Sequence, residues 1–389
     1  MRIERLLLTG FRSYPALDVS FGPGPQVIVG ANAAGKTNLI ESLVLLGTGR
    51  SHRATGDAEL IGWGAEFARL EADVAPDAAE SSPGTRLEIV LTGTSPGARR
   101  RIQINGVARR AASLASALPV VLFAPEDMLL VVGSPALRRH VLDGIVAQTV
   151  PQAAAALTTY GRAVTQRNNL LKTIREGAAD PAELRFWTHV VCQEGGRIVR
   201  WRRDALAALA DPLRAAHAEI APDEGQLSLC YVTNAEPAAG EDEEAALRRR
   251  LNETAEKEIW NGATLVGPHR DDVVFDLEGR ELATFASRGQ QRTAILALKL
   301  AQLELLTAAI GRSPLLLLDD VFSELDPDRR AHLVHRIGEL PQAFVTTTTL
   351  DDLDPALVAA STAWRVLPGR LEPAARATSS ADMRRPLSA

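Results

Sequence analysis

Gly30-Ala31-Asn32-Ala33-Ala34-Gly35-Lys36-Thr37 has the spacing Gly-x-x-x-x-Gly-Lys-Thr, that of a phosphate-binding loop, or P-loop. Glycines at its two ends let backbone amides curl around the β and γ phosphates of a nucleotide. Lys36 can reach between those phosphates as a point charge, and the Thr37 hydroxyl is placed to ligate Mg²⁺. The flanks agree: Gln26 to Val29 is a short apolar run that reads as a buried strand. Leu39, Ile40, Leu43, Val44 and Leu46 then repeat at helical spacing, and Gly47 is the expected stop. A loop between strand and helix is the setting in which this motif works.

The chain of 389 residues is long enough for two domains, and 46% hydrophobic with 23% charged residues is the composition of an ordinary globular protein. A formal net charge of −5 gives no global sign of nucleic-acid binding, so any DNA contact has to come from a local basic patch. Cys192 and Cys230 lie far apart without nearby histidines at ligand spacing, so neither a disulfide framework nor a zinc site is indicated. That suits a reducing cytoplasm, and with no apolar run read as long enough to cross a bilayer, no membrane is expected among the partners.

Leu6 to Leu8 and the alternating Leu17 to Phe21 read as strands ahead of the P-loop strand. Leu87 to Leu91 and Arg101 to Ile104 alternate as well, with Asn105-Gly106 as a hairpin turn. This region carries Arg99, Arg100, Arg101, Arg109 and Arg110, a basic cluster that is either a solvated face or a phosphate contact. Gly49-Arg50-Ser51-His52-Arg53 reads either as a solvated loop or as a nucleotide or DNA contact. From Pro125 the character turns helical: Glu126 to Val132, Pro135 to Ala147, Ala153 to Ile174 and Pro181 to Ala210, with Gly177, Pro181, Gly195 and Pro212 expected to break any long rod. Gly225 to Val232 offers a strand, and Asn234 to Glu244, acidic and rich in small residues, reads as a mobile loop. Sheet returns with Val273 to Leu277, Leu315 to Leu318 and Phe344 to Thr349, and the tail from about Leu371 looks weakly ordered.

Leu315 to Leu318 followed by Asp319-Asp320 has the form of a Walker B strand, which lifts a carboxylate to the sheet edge where Mg²⁺ would sit. Asp319 is the candidate metal ligand; Asp320 stands where many such ATPases place the residue that polarises the attacking water. Ser287-Arg288-Gly289-Gln290-Gln291 opens the helix Arg292 to Ala309, at the positive end of a helix dipole. Alone it is a helix cap. With the other two motifs it resembles the signature of ABC-type ATPases, and Ser323-Glu324-Leu325-Asp326 resembles their D-loop.

Seven blocks taken together bring the resemblance closer. They are Leu8 to Tyr14, the P-loop continued through Asn38 to Glu41, Gly49 to Arg53, Phe123 to Asp127, Gly267 to Asp272, Ser287 to Arg292, and Asp319 to Asp326. In this order the chain resembles the RecF family of bacterial DNA replication and repair proteins. The resemblance implies an α/β fold, an ABC/SMC-type P-loop ATPase head with a mostly helical second lobe and no long coiled coil. The division it implies is a head from 1–124 and 262–370, a helical lobe from 125–261 and a weakly ordered tail from 371–389. It also implies ATP and Mg²⁺ as cofactors, duplex and gapped DNA, an ATP-dependent homodimer with slow DNA-stimulated hydrolysis, and work with RecR and RecO in loading RecA at single-strand gaps, tied to replication restart and the SOS response.

Carried over residue by residue, Gly30, Ala31, Asn32, Ala33, Ala34, Gly35, Lys36, Thr37 and Asn38 form the nucleotide loop, and Thr37 with Asp319 serves the metal. Lys36 and Asp320 serve catalysis, and Ser287, Gly289 and Gln290 act on the partner copy's nucleotide. Arg99, Arg100 and Arg101 are the candidate DNA contacts. The chain departs from ABC ATPases in having no Gln near Pro125-Glu126 and Thr346-Thr347 where a His is usual. A threonine can hydrogen-bond a phosphate but is no cationic switch, so slow hydrolysis is implied. A transporter head and an SMC protein fit less well, since more than two hundred residues part P-loop from signature, yet far fewer than a long coiled coil needs. A P-loop kinase leaves the signature and D-loop without a task.

Overall fold

The computed structural model describes residues 1–76, 84–93 and 98–374. The chain divides into two compact units, one of Met1–Leu46, Arg50–Arg109 and Leu315–Ala389, the other of Gly47–Gly49 and Arg110–Pro314. The cuts differ from the sequence-based division: residues 110–124 and 262–314 group with the helical segment.

The first unit carries two sheets. One is antiparallel, in the spatial order Tyr14–Ser20, Arg2–Phe11, Phe67–Ala75, Thr85–Thr92, Arg99–Ile104, Val107–Ala108. Its strands alternate, with Leu6, Leu8, Leu70, Ala72, Leu87, Ile89 and Leu91 buried and the intervening charged residues outward, the pattern of a sheet with one solvated face. The second sheet places Arg370–Pro373, Thr362–Leu367, Gly24–Val29, Gln342–Thr347 and Leu315–Asp319 side by side. The last three run parallel, Ile28 against Thr346 and Leu318 against Val345. Leu315 to Leu318 and Ala343 to Val345 are buried, as continuous apolar strands covered on both faces must be. The site lies at the C-terminal ends of these parallel strands. Helix Lys36–Thr48 follows the P-loop and does not stop at Gly47; it ends after Thr48.

In the second unit, helix Leu184–Ile220 runs for 37 residues through both Gly195 and Pro212, which therefore do not break it. Helices Ala153–Arg175, Glu243–Glu253 and Arg288–Ile310 pack along it, and their burial of its apolar stripe outweighs the local cost of the two residues. Gly177 and Pro181 do fall between helices. Strands Arg280–Glu281, Asp272–Leu277 and Leu227–Val232 form a small antiparallel sheet. The acidic segment after Asn234 is held, not loose. Arg249 bonds Glu241, Arg203 bonds Glu236, the Asn234 amide donates to Leu265 O, and Ala235 is buried.

By length and composition Arg288–Ile310 could cross a membrane, contrary to the sequence expectation. Two thirds of its apolar window is buried inside the protein, however, which makes it a core helix. The tail expectation is changed at its start, because Arg370–Pro373 is a strand paired with Thr362–Leu367. Residues 375–389 lie outside those described.

Candidate nucleotide site

The P-loop leaves strand Gly24–Val29 at Gly30 and enters the helix at Lys36. Ala33 and Gly35 take positive φ of 62° and 116°, the left-handed region that so tight a loop needs. Gly35 is required for space as well, since a Cβ there would stand 2.9 Å from Ser13 Oγ and 3.1 Å from the Tyr14 hydroxyl. Ala31, Asn32 and Ala33 are exposed, Gly30, Ala34, Thr37 and Asn38 half-buried. The Lys36 ammonium donates to Gly30 O at 2.7 Å and Ala31 O at 3.1 Å, so it lies over the concave side of the loop. Burial lowers its pKa, and the charges of Asp320 and Asp319 oppose that shift. A lysine on a glycine-bounded loop, within electrostatic reach of two carboxylates, fits a magnesium triphosphate.

Asp319 closes strand Leu315–Asp319 and is 3% exposed. Its Oδ1 accepts from Thr346 Oγ1 at 2.6 Å, and the same Oγ1 accepts from the Asp320 backbone N–H at 2.9 Å. Thr346 therefore fixes both acids from the neighbouring strand, a role that reading the chain in order did not reveal. Asp320 sits at φ +52°, a left-handed turn where a β-branched residue would be strained, and its carbonyl accepts from Ser323 Oγ. Thr347 is buried and donates to Thr349 O, so its hydroxyl caps the following turn.

A third layer was missed altogether. The turn between strands Arg2–Phe11 and Tyr14–Ser20 is clamped to the P-loop, with Tyr14 donating to Gly35 O at 3.0 Å and the Asn38 amide donating to Ser13 Oγ at 2.9 Å. Arg12, at φ +48°, makes two bonds to Glu41, at 2.9 and 2.8 Å. Glu41 is fully buried on the P-loop helix and also accepts from Ser51 Oγ, whose oxygen in turn accepts from the Arg53 and Ala54 amides. One carboxylate thus joins the turn and the Gly49 to Arg53 block to the helix. The available signal was a lone acid inside an apolar helical run.

Ser287, Gly289 and Gln290 lie in the other unit, at the start of helix Arg288–Ile310. Ser287 and Gln290 form a reciprocal capping box: the Gln290 N–H donates to Ser287 Oγ at 3.2 Å and the Ser287 N–H to Gln290 Oε1 at 3.0 Å. At the place where ABC ATPases carry Gln, the turn Pro125–Met128 instead presents Asp127. One of its oxygens accepts from the Ala124 N–H, and the other pairs with Lys299 of helix Arg288–Ile310 at 2.8 Å. The Gly267 to Asp272 block is a structural junction in the same unit. Burial holds the His269 pKa down to about 4, so the ring is neutral; Tyr160 donates to Nδ1 and Nε2 faces Thr264 O.

Of the basic cluster, Arg100 is paired with Asp57 and Arg101 with Glu88 at 3.2 Å, which leaves less unbalanced charge than the sequence suggests. Arg69 and Arg86 on the same sheet share the one carboxylate of Glu71.

The family model for the RecF/RecN/SMC N terminal domain matches residues 2–362. RecF of Herpetosiphon aurantiacus is 40% identical, covering 96% of this chain and 100% of its own length, and RecF of Halalkalibacterium halodurans is 38% identical, over 96% and 99%. The chain belongs to the RecF family. Relatives of this family are named DNA replication and repair proteins. A solved structure of the recombination mediator protein RecF in the RecFOR pathway, described as RecF-ATPrS, superposes with a TM-score of 0.86 at 28% identity, over 96% of this chain and 98% of that one. An Smc head bound to the C-winged helix domain of ScpA matches at a TM-score of 0.53 and 15% identity, which shows the shared ABC/SMC head fold and no more.

Proposed function

We propose that this chain binds ATP and DNA in recombinational repair, as a dimer that assembles when ATP is bound and parts after slow, DNA-stimulated hydrolysis. The observation that carries this is the Lys36 ammonium lying over the P-loop with Asp319 fixed by Thr346 at the end of the adjacent parallel strands. Gly30 to Asn38 would hold the phosphates, and Thr37 with Asp319 would hold Mg²⁺, which supplies charge neutralisation at the β and γ oxygens. Asp320 would orient the attacking water, and as a carboxylate one methylene shorter than Glu it does so at longer reach, consistent with slow turnover.

Ser287, Gly289 and Gln290 present a helix N-terminus suited to the γ-phosphate of a second copy's nucleotide. We read 1–124 with 262–370 as the ATPase head and 125–261 as the helical lobe. Membership of the family and the RecFOR pathway of a structural relative support a place beside RecR and RecO in loading RecA at gapped DNA in the cytoplasm, with links to replication restart and the SOS response.

Sedimentation with a non-hydrolysable ATP analogue and duplex DNA tests this. The wild-type chain is expected to dimerise, Lys36→Ala to stay monomeric, and Ser287→Arg to bind nucleotide yet stay monomeric. A wild-type chain that remains monomeric with both ligands in excess overturns the dimer reading.

A further inference from the structure

Thr346 is fully buried near the end of strand Gln342–Thr347, in register with Ile28 on one neighbouring strand and with Asp319 on the other. Its hydroxyl carries a single hydrogen. The oxygen accepts from the Asp320 N–H at 2.9 Å, a group that can only donate, and this commits that hydrogen to Asp319 Oδ1 at 2.6 Å. A β-branched side chain in a strand has little freedom at χ1, and turning would give up both bonds at once, so the hydroxyl stays where it is. Among the described residues Asp319 Oδ2 takes no hydrogen bond, whereas Oδ1 is engaged. The carboxylate therefore has one oxygen to offer a cation. That number matters, because Ca²⁺ gathers about six to eight oxygens and readily takes both from one carboxylate, whereas Mg²⁺ keeps a strict octahedral shell with several waters in it.

We propose that Thr346 sets the cation preference of the nucleotide site: by holding Asp319 Oδ1 it leaves the carboxylate a single oxygen for the metal or its water, and so favours Mg²⁺ over Ca²⁺. This rests on the nucleotide reading of the P-loop given above. Thr346 is a positioning residue, acting through Asp319 and not on the metal or the nucleotide. For a cation to take Oδ1 as well, it has to break a charge-assisted hydrogen bond and leave a buried hydroxyl hydrogen without an acceptor. Mg²⁺ has no need of that oxygen, and Ca²⁺ loses a ligand without it.

The test measures ATP binding to the full chain by calorimetry, once with Mg²⁺ and once with Ca²⁺, and reads the ratio of the two affinities. The wild-type chain should favour Mg²⁺. Thr346→Val, which replaces the hydroxyl by a methyl of similar size, should shrink that ratio about tenfold, and Thr346→Ser, which keeps the hydroxyl, should restore it. An unchanged ratio in Thr346→Val overturns the proposal, as does equal weakening with both cations, which would make Thr346 a packing residue only. A Thr346→Ser chain that behaves as Thr346→Val overturns it too, because the methyl and not the hydroxyl would then be responsible. Should Thr346→Val fail to fold, the wild-type chain still decides: equal ATP affinity with Mg²⁺ and Ca²⁺ overturns the proposal while leaving the P-loop reading intact. A wild-type chain that binds ATP with neither cation instead refutes the P-loop reading, and the cation preference with it.

Discussion

Replacing Glu41 should loosen the P-loop helix by an amount the structure allows to be worked out. Its carboxylate is fully buried and accepts two bonds from Arg12, a side chain 22% exposed, and one from Ser51. Breaking a buried pair from one side costs about 3–5 kcal/mol. Arg12 keeps some water and its bond to Glu59 O, so Glu41→Ala belongs at the low end, about 3 kcal/mol. Glu41→Gln keeps one acceptor oxygen and gives up the charge, for about 1–2 kcal/mol.

Hydrogen exchange by mass spectrometry reads this locally. Amides of helix Lys36–Thr48 should lose about a hundredfold protection in Glu41→Ala and about tenfold in Glu41→Gln, with ATP affinity falling in the same order. The pH dependence has a defined sign. Burial disfavours the charged form of Glu41, but bonds from Arg12 and Ser51 and the charges of Arg12 and His52 outweigh it, and the pKa is lowered from its ordinary 4.5. A depressed folded-state pKa contributes stability that is complete above 4.5 and disappears as pH falls through the folded value. The gap between wild type and Glu41→Gln should therefore close in acid below 4.5. Wild-type protection in Glu41→Ala would refute the reasoning, and weakened protection with wild-type ATP binding would refute the link to the P-loop.

The Asp127–Lys299 pair should show coupling: Lys299→Met and Asp127→Asn each destabilise, and the double variant costs at least about 1 kcal/mol less than their sum in a double-mutant cycle. Strict additivity would mean that the two groups are near without interacting. For DNA, changing Arg99, Arg100 and Arg101 together to Gln should make the salt dependence of binding shallower by about 0.9 for each phosphate that is no longer neutralised. Since Arg100 and Arg101 already face Asp57 and Glu88, the slope is expected to change by one phosphate's worth and not by that of all three arginines. An unchanged slope assigns the cluster to a solvated face.

What was legible in the sequence was local. The P-loop could be read because its glycines answer to backbone geometry within eight residues, and the strand Leu315–Asp319 because a strand buried on both faces must be apolar throughout. Where long-range packing decides, local signals misled. Gly195 and Pro212 lie inside one helix because neighbouring helices bury its stripe, and the acidic segment after Asn234 is ordered by arginines from two other helices. Composition alone could not count Asp57 against Arg100, 43 residues apart, and so overstated the basic cluster. The clamp on the phosphate loop was hidden for the same reason, because Arg12 and Glu41 meet only when strand, turn and helix fold together.

An acid placed among Leu39, Ile40, Leu43 and Val44 nevertheless carried information that a run of arginines did not. A charge on a solvated face costs little to keep, whereas a carboxylate on a buried helix face is tolerated only with a partner waiting. The isolated charge in an apolar run thus points to a tertiary contact, and here that contact leads through Arg12 to the turn that holds Gly35.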